Sequence, residues 1–386
     1  MLPTGAGKGL VIYGISTTLI NNSDVDKILV LVPSINLVEQ LYKEIIEEYD
    51  LGDITIQKFS SKYPTFGDAN ITIANRQWLE KFSEDEVKRC GKKAGKLKDP
   101  KKIQKLKERV DNICVVLPKL RKVDAVIIDE CHGLKYNNKV SDFVKDLSTK
   151  IRFGLTGTLP EEEKDCNVKG IIGPVLIERE VHELQDIGIL ADINIYPIQL
   201  RHRNKPVFHY NSASEYQKAY YDEWNYLEKC DRANKATLSI IENIGGNTLV
   251  LFDHTTHGKY LFDNLNHDKK YFIDGSIDVD YREEVRAELE KTTGNIIIAN
   301  TKVFSTGINI KSLNTIVFTM HGKGATKVIQ SIGRGLRLKE GKSGMTLIDI
   351  FHNFKYSTAH YDLRCGLYKK HYNKELTYRD INIVDI

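Results

Sequence analysis

The sequence lacks the features that mark membrane and secreted proteins. In its 386 residues the longest stretch without a charge, residues 9–23, carries Ser, Thr and Asn and is too short and too polar to span a bilayer. No basic segment followed by an apolar one comes after Met1, so the pattern of a secretory signal is missing. We therefore expect a cytoplasmic protein with no membrane partner.

Cysteine and proline are sparse. The six cysteines form no Cys-x-x-Cys pair, which argues against a zinc site and a disulfide framework and favours a reducing compartment. Nine prolines, 27 glycines and 41% apolar residues exclude a collagen-like rod and a wholly disordered chain. The length predicts two or three globular domains.

The net charge of +4 conceals one strongly basic segment. Residues 88–109 hold eleven Lys or Arg against Asp99 and Glu108, whereas the rest of the chain holds 45 basic and 50 acidic residues. Such a run is a candidate contact for the phosphate backbone of a nucleic acid. The alternative is a solvated, partly disordered surface loop.

Short apolar runs rich in β-branched residues recur, with helical stretches between them. Continuous apolar strands that alternate with helices are typical of buried parallel sheets in α/β layers. The first series is 27–33 (KILVLVP), 53–60, 70–75, 124–130 (DAVIIDE) and 150–158, and the second is 193–200, 248–253 (TLVLFD), 270–275, 295–300 (NIIIAN), 315–320 and 345–350. Two series predict two α/β domains.

Spacing of apolar residues predicts helices over 36–49 and 280–290, and one or two helices over 212–244. The boundary between the domains is expected near 173–190, where Gly-Pro and Gly interrupt the pattern. We therefore expect domain 1 over residues 1–180, domain 2 over 181–350, and a C-terminal extension over 351–386 whose structure the pattern does not define.

A glycine-rich segment, PTGAGKG, occupies residues 3–9 and precedes an apolar, helix-like stretch. Small residues let backbone N–H groups approach phosphate oxygens, and a following helix adds its positive N-terminal dipole. In this pattern Lys8 reaches the β- and γ-phosphates, but Gly9 stands where a Ser or Thr hydroxyl would bind Mg²⁺. A plain loop is the alternative. The candidate ATP-binding residues are Thr4, Gly5, Ala6, Gly7, Lys8 and Gly9.

Two carboxylates end the run VIIDECH, residues 126–132. In a phosphate-loop ATPase the first, Asp129, would hold Mg²⁺, and the second, Glu130, would orient or deprotonate the attacking water. His132 either bonds across a cleft between the domains or is a local cap or a surface imidazole. Thr156 and Thr158 end the next strand, where their hydroxyls could link a nucleotide site to nucleic acid; a plain turn is the alternative.

The second series carries QSIGRGLR over residues 330–337. Its two arginines, Arg334 and Arg337, are three apart on a predicted helix and would share one face, from which they could reach a γ-phosphate. Positive charge of this kind assists phosphoryl transfer. The alternative is a solvated basic helix face. Gly307 and Asn309 lie in the loop that follows the NIIIAN run.

Taken together, these motifs resemble the superfamily 2 helicases and translocases. The motifs stand in the family's order: PTGAGKG, LVLVPSINLVEQ, the segment around Asn75-Arg76-Gln77, VIIDECH, LTGTLP, LVLFDHTTHGKYL, NTKVFSTGINI and QSIGRGLR. Within the superfamily the chain is most similar to phage recombination helicases, through FDHTTHGKYLFDNL, VFSTGINIKSLNTIVF and VIQSIGRGLRLKEG. If the gene is a phage gene, the expected location is the host cytoplasm.

The resemblance implies two tandem RecA-like domains, each a parallel sheet flanked by helices, with ATP and Mg²⁺ as cofactors. It implies catalytic roles for Lys8 (phosphates), Asp129 (metal), Glu130 (water), Gln330 (γ-phosphate and water) and the arginine fingers Arg334 and Arg337. Gly307 and Asn309 would lie near the nucleotide. The implied contacts to nucleic acid are Pro33, Ser34, Gln77, Thr156, Thr158, Thr255 and Thr301, and they read the backbone rather than the bases.

The implied activity is ATP-dependent remodelling of single-stranded and branched DNA in recombination, replication and repair. The family pattern also leads us to expect residues upstream of the phosphate loop, including a first strand, so we expect an N-terminally truncated chain. Partners would then include a separate N-terminal polypeptide or recombination proteins. Two alternatives stay open: a catalytically impaired fragment that binds nucleic acid, and an RNA helicase.

Overall fold

A computed structural model describes most of the chain. It omits Thr4, Thr158, Pro160, Glu161, 209–212, 305–309, 320–324, 339–341, Ser343 and 384–386. Within helices and strands it also leaves out the side chains of 162–165, 213–214, Val279, Phe304, 325–327, Gln330 and 382–383. The chain divides into two compact units, residues 1–2 with 7–178 and residues 3–6 with 179–386.

The first unit is built on a five-stranded parallel sheet. Its strands are β1 (Ile28–Val32), β2 (Ile56–Phe59), β3 (Ile71–Asn75), β4 (Ala125–Asp129) and β5 (Ile151–Leu155). They lie in the order β2-β3-β1-β4-β5. Every residue of β1 and β3 is buried, which is why these strands are uninterrupted apolar runs.

Helices cover both faces of this sheet. They are α1 (Lys8–Asn22), α2 (Ile35–Glu48), α3 (Arg76–Leu79), α4 (Glu84–Ala94), α5 (Pro100–Arg121), α6 (Lys139–Asp146) and α7 (Glu162–Ile172), with a 3₁₀ turn over Cys131–Gly133. On one face, residues of α1 and α2 such as Ile12 and Leu41 pack against Val30 and Ile127. On the other, the second half of α5 packs against Val126 and the neighbouring strand residues.

The basic segment is helical. Residues 88–109 fall in α4, a short connection and the first half of α5. Ser83 caps α4, and Asp99 caps α5 with Pro100 at its first position. The interpretation of this segment as a disordered loop is therefore wrong.

The second unit is built on a seven-stranded parallel sheet. Its strands are β6 (Asp192–His202), β7 (Thr248–Phe252), β8 (Lys270–Ile273), β9 (Ile296–Asn300), β10 (Thr315–Phe318), β11 (Gly344–His352) and β12 (Arg379–Ile383). They lie in the order β12-β6-β11-β10-β7-β9-β8. Its helices are α8 (Val181–Asp186), α9 (Ala213–Lys229), α10 (Asp231–Glu242), α11 (Thr255–Asn264), α12 (Val279–Lys291), α13 (Thr301–Phe304), α14 (Ala325–Gly335) and α15 (Lys355–Tyr372).

The segment after residue 350 is integrated into this sheet. Arg364 of α15 donates two hydrogen bonds to the Asp349 carboxylate of β11, at 2.8 and 2.7 Å, and the Tyr368 hydroxyl donates a third at 2.6 Å. All three side chains are buried. Strand β12 then pairs with β6, so α15 and β12 belong to the core of the second unit.

Candidate active site

The carboxyl ends of parallel strands gather the predicted site residues of each unit at one edge of its sheet. In the first unit Pro33 follows β1, Gln77 follows β3, Asp129 ends β4 and Thr156 follows β5. In the second unit Thr255 follows β7 and Thr301 follows β9. Ligands of open α/β sheets bind at this edge. Motifs that are far apart in the sequence are therefore brought to the ligand-binding edge of the sheet in each unit.

The glycine-rich segment forms a turn that leads into α1. Gly5 and Gly7 have φ angles of +91° and +77°, which an L side chain rarely adopts. Gly7 stands at the cap position of α1, so the first N–H groups of that helix have no intrahelical acceptor. A Cβ on Gly7 would meet only Leu10, at 4.0 Å, so a ligand can approach the backbone here. This turn fits a phosphate.

Lys8, at the start of α1, is paired with the acidic motif. Its Nζ donates to Glu130 Oε1 at 2.7 Å, and both side chains are mostly buried. Glu130 itself has a left-handed backbone, with φ of 50°, which costs about 1 kcal/mol or more for a residue with a Cβ. Strain of this kind in a charged residue beside a phosphate turn is typical of a functional position.

Asp129 and Glu130 differ in their proton affinity. Burial raises the pKa of Asp129 to about 6, against the opposing effect of the Lys8 charge. Burial also acts to raise the pKa of Glu130, but hydrogen bonds from His132 and Lys8 and their charges outweigh it and lower that pKa to about 2. Both carboxylates are therefore ionised at neutral pH, and Asp129 is the first of the two to take up a proton as the pH falls.

Asp129 suits a divalent cation. Its Oδ1 accepts a hydrogen bond from the Glu130 N–H at 2.9 Å, and no cationic side chain in the described part of the chain forms an ion pair with it. A buried carboxylate whose pKa is raised by desolvation gains most from a bound cation.

His132 bonds within the first unit. Its Nδ1 lies 2.9 Å from Thr156 Oγ1 and 3.2 Å from Glu130 Oε2. The Nδ1 atom of His132 is thus engaged locally, beside the acidic motif. Sequence reasoning overlooked Arg76, which lies in the quoted motif around Asn75: its Nη1 donates to the Glu130 carbonyl at 3.1 Å. Only the position of Arg76 directly after a buried strand could have indicated this role.

The space beside Gly9 is filled by the side chain of a residue from another helix, Glu44. A Cβ built on Gly9 would lie 2.2 Å from Glu44 Oε1 and 2.8 Å from Glu44 Cδ. Glu44 belongs to α2, which packs beside α1. The carboxylate of Glu44 thus fills the space that a Ser or Thr side chain would take at position 9. Sequence reasoning missed Glu44, because no local pattern links a mid-helix glutamate to a residue 35 positions earlier.

The two arginines of the second unit do not share a helix. Helix α14 ends at Gly335, and Arg337 forms an antiparallel bridge with Leu190, next to a hydrogen bond from Ala191 N to Leu336 O. The prediction that Arg334 and Arg337 lie on one helix face is wrong. A Cβ on Gly335 would lie 1.9 Å from Met345 Sδ, so this close approach to β11 requires a glycine where the helix ends.

The predicted nucleic-acid residues fall into two groups. Gln77 is exposed and Thr255 partly exposed. Thr156 and Thr301 are buried, the first against His132 and the second with its hydroxyl donating to Phe252 O at 2.9 Å. Ser34 accepts from Leu37 N at 3.3 Å and caps α2. Thr4, Thr158, Gly307, Asn309 and the side chain of Gln330 lie outside the described residues.

Comparison with known proteins agrees with this arrangement. Residues 1–161 match the family "Type III restriction enzyme, res subunit", and residues 230–339 match "Helicase conserved C-terminal domain". The chain is 26% identical over 360 residues to the ATP-dependent DNA helicase UvsW of Enterobacteria phage T4, covering 90% of this chain and 64% of that protein. It thus spans less than two thirds of the length of that relative.

Solved structures show the same fold. Dbp5 of Saccharomyces cerevisiae, bound to RNA and ADP BeF3, superimposes with a TM-score of 0.60 at 14% identity, over 99% of this chain and 84% of that one. Helicase Lhr of Mycobacterium smegmatis, bound to single-stranded DNA and AMP-PNP, gives 0.56 at 12% identity, over 98% and 46%. The expected fold class is confirmed. The two family models match in order along the chain, as the resemblance to the superfamily 2 helicases implies.

Proposed function

We propose that this protein hydrolyses ATP and uses that energy to move along and remodel branched DNA of recombination, replication and repair. The observation that carries the proposal is the contact of Lys8 with Glu130 beside Asp129, at the end of β4 and next to the glycine turn. These are the groups that phosphoryl transfer requires: a cation for phosphates, a base for water and a metal carboxylate. The likeness to a phage DNA helicase supports DNA as the substrate and the host cytoplasm as the location.

The chemistry begins with an exchange of partners by Lys8. Its ammonium, now bonded to Glu130, turns to the β- and γ-phosphates when ATP enters the glycine turn. This exchange removes one of the groups that keep Glu130 from accepting a proton, so Glu130 can orient and deprotonate the attacking water. His132 stays bonded to Glu130 and Thr156 and holds that carboxylate in place.

Mg²⁺, held by Asp129, would neutralise charge on the phosphates. In the second unit, the residues proposed to contact the γ-phosphate are Gln330, Arg334 and Arg337. Gly307 and Asn309 are proposed to lie near the nucleotide. Pro33, Ser34, Gln77 and Thr255 are the proposed contacts to the backbone of the DNA. Recombination proteins or a separate N-terminal polypeptide are the proposed partners.

The test is ATP hydrolysis by the purified chain, with and without single-stranded and branched DNA, using Lys8→Ala as the blank. Hydrolysis that DNA stimulates and that Lys8→Ala abolishes supports the proposal. Stimulation by RNA alone would reassign the substrate, because backbone contacts do not distinguish the two by themselves.

The second candidate function is a fragment that binds nucleic acid without turning over ATP. Gly9 favours it, because the hydroxyl expected to bind Mg²⁺ is missing and Glu44 fills its place. A folded chain that binds DNA but shows no hydrolysis above the Lys8→Ala blank would establish this candidate.

A further inference from the structure

The first unit carries a projecting pair of helices, α4 and α5, which we call the basic hairpin (residues 84–121). The helices are antiparallel, since Glu84 at the start of α4 is paired with Arg121 at the end of α5, at 3.0 Å. Glu86, further along α4, is paired with Arg109, earlier in α5, at 2.6 Å. Only the second half of α5 is anchored in the unit: its buried residues are Ile113, Val116, Leu117 and Leu120. None of residues 91–112 is buried, so the distal half of the hairpin projects from the body.

Positive charge concentrates in this distal half. Ten of the eleven Lys and Arg side chains over 88–109 are exposed, all except Arg109. Ion pairs engage Lys88, Arg89, Lys102 and Arg109. In the described part of the chain seven further lysines form no ion pair: Lys92, Lys93, Lys96, Lys98, Lys101, Lys105 and Lys107.

Helix stability explains only part of this charge: Lys92 and Lys93 lie in the last turn of α4, where the helix dipole favours a cation. Lys101 and Lys102 lie in the first turn of α5, where the helix dipole disfavours a cation by about 0.3–1 kcal/mol each. Acidic side chains are the ones that stabilise a helix start, and α4 has three of them in its first turn. Lysines at an unfavourable helix start, within a larger exposed cluster of like charge, indicate a partner that is itself strongly negative.

The composition of residues 88–109 indicates which kind of negatively charged partner fits, a single strand or a duplex of DNA. Residues 88–109 contain no aromatic side chain, whereas proteins that hold single strands stack bases on aromatic rings. Unpaired lysines on a projection match the spaced phosphates of a double helix. We propose that the basic hairpin binds the phosphate backbone of a duplex arm of the DNA, away from the nucleotide site. This inference rests on the proposed function only in taking DNA as the substrate.

The experiment compares two variants with the same loss of charge. Lys96→Gln/Lys98→Gln/Lys101→Gln removes three unpaired lysines from the tip of the hairpin. Lys122→Gln/Lys139→Gln/Lys150→Gln removes three exposed lysines outside the hairpin in the same unit. Binding to a fluorescent duplex and to a single strand of equal length is measured by anisotropy at several salt concentrations, without nucleotide. Melting temperatures check that both variants fold.

The tip variant should bind the duplex on the order of 10- to 100-fold more weakly at 100 mM salt. Its salt slope should be shallower by about 2–3, because each lysine–phosphate contact that forms releases about 0.9 of a counterion and the variant forms three fewer. The control variant should stay within about threefold of the wild type. A wild-type chain without duplex affinity, equal losses in the two variants, or an equal loss on the single strand would each overturn the proposal.

ATP hydrolysis measured on the same proteins separates this proposal from the previous one. If the chain hydrolyses ATP and the tip variant keeps its affinity for the duplex, the hairpin proposal is refuted and the proposed ATP-dependent activity is supported. If the chain shows no hydrolysis and the tip variant loses affinity for the duplex, the hairpin proposal is supported and the proposed ATP-dependent activity is refuted.

Discussion

The carboxylate of Glu44 lies where a side chain at position 9 would stand, with Glu44 Oε1 only 2.2 Å from a Cβ built on Gly9. The far end of a glutamate is flexible, so a serine at position 9 would displace it rather than unfold the helix. Gly9 and Glu44 therefore form one structural pair: a hydroxyl at position 9 and this carboxylate cannot occupy the same space.

We predict that Gly9→Ser/Glu44→Ala binds Mg²⁺-dependent ATP analogues more tightly than Gly9→Ser alone, by on the order of tenfold, because removing the carboxylate lets the hydroxyl reach the metal. Titration with a fluorescent analogue, with and without Mg²⁺, measures this. Gly14→Ser with and without Glu44→Ala is the control, since a Cβ on Gly14 meets nothing within 4 Å. Equal affinities of Gly9→Ser and the double variant would show that Glu44 does not compete for the space.

Glu130→Gln should lower kcat by about 10²- to 10⁴-fold, because the amide cannot take a proton from water. Nucleotide affinity should stay within about threefold, since Lys8 then binds the phosphates without a competing carboxylate. Single-turnover hydrolysis and equilibrium binding separate the two effects. A loss of binding as large as the loss of rate would mean that Glu130 has a structural role.

Arg337→Ala should abolish hydrolysis while largely sparing nucleotide binding, if Arg337 supplies positive charge to the transition state. Arg337 lies beyond the end of α14 in a bridge with Leu190, so its backbone is held independently of the helix. The same rate and binding assays apply, with Arg337→Lys to show whether charge alone suffices. Full activity of Arg337→Ala would refute the assignment.

Arg364→Met should destabilise the second unit by about 3–5 kcal/mol, because it leaves the buried Asp349 carboxylate without its cation. Tyr368→Phe removes one hydrogen bond to the same carboxylate and should cost about 1–3 kcal/mol. Urea unfolding followed by circular dichroism measures both. Arg201→Ala breaks the more exposed ion pair with Asp380 and should cost at most about 1 kcal/mol, so similar values for the three variants would contradict this account.

Acid should destabilise the second unit through buried histidines. Burial, with the neighbouring His202 and His257 adding to it, lowers the pKa of His352 to about 3, and burial lowers that of His257 to about 4. In the unfolded chain both pKa values are about 6.5, so there the rings take up protons that the folded state refuses. The contribution of these neutral rings to the free energy of unfolding is present above about pH 6.5 and is lost as the pH falls below that value. The loss is about 2 kcal/mol per ring between pH 7 and pH 5.

The measurement is the free energy of unfolding at pH 5, 6 and 7. His352→Gln should flatten this dependence by about the contribution of one ring, whatever its effect on stability at pH 7. His267→Gln, on the connection before β8, is the matched substitution. An unchanged slope in His352→Gln would show that the ring takes up a proton in the folded state.

The sequence predicted the two sheets well because their strands are buried on both faces and therefore continuously apolar, as β1 and β9 show. The ends of β4 and β5 followed from the same pattern, which placed Asp129 and Thr156 at one edge. What the sequence did not predict depends on contacts between distant segments. Glu44 reaches Gly9 only because α1 and α2 pack side by side. Arg337 leaves the line of α14 where the chain bridges to Leu190, a residue almost 150 positions earlier.

Burial in the folded chain also determines the surroundings of residues whose type alone suggested a different environment. Thr301 has the polar side chain expected at a nucleic-acid surface, but its hydroxyl is buried against Phe252. Likewise the weakly periodic tail after residue 350 forms a helix and a strand, and the buried contact of Arg364 with Asp349 anchors that helix to the sheet.

The place of β12 beside β6 has a consequence for the order in which the protein is made. The first unit can be complete once about residue 178 has left the ribosome, and domains fold as units during synthesis. In the second unit, β6 emerges near residue 192, yet its outer neighbour is β12 at 379–383. One edge of β6 therefore waits, unpaired, through the translation of nearly two hundred residues. In that interval nascent chains are most exposed to mispairing and to chaperones.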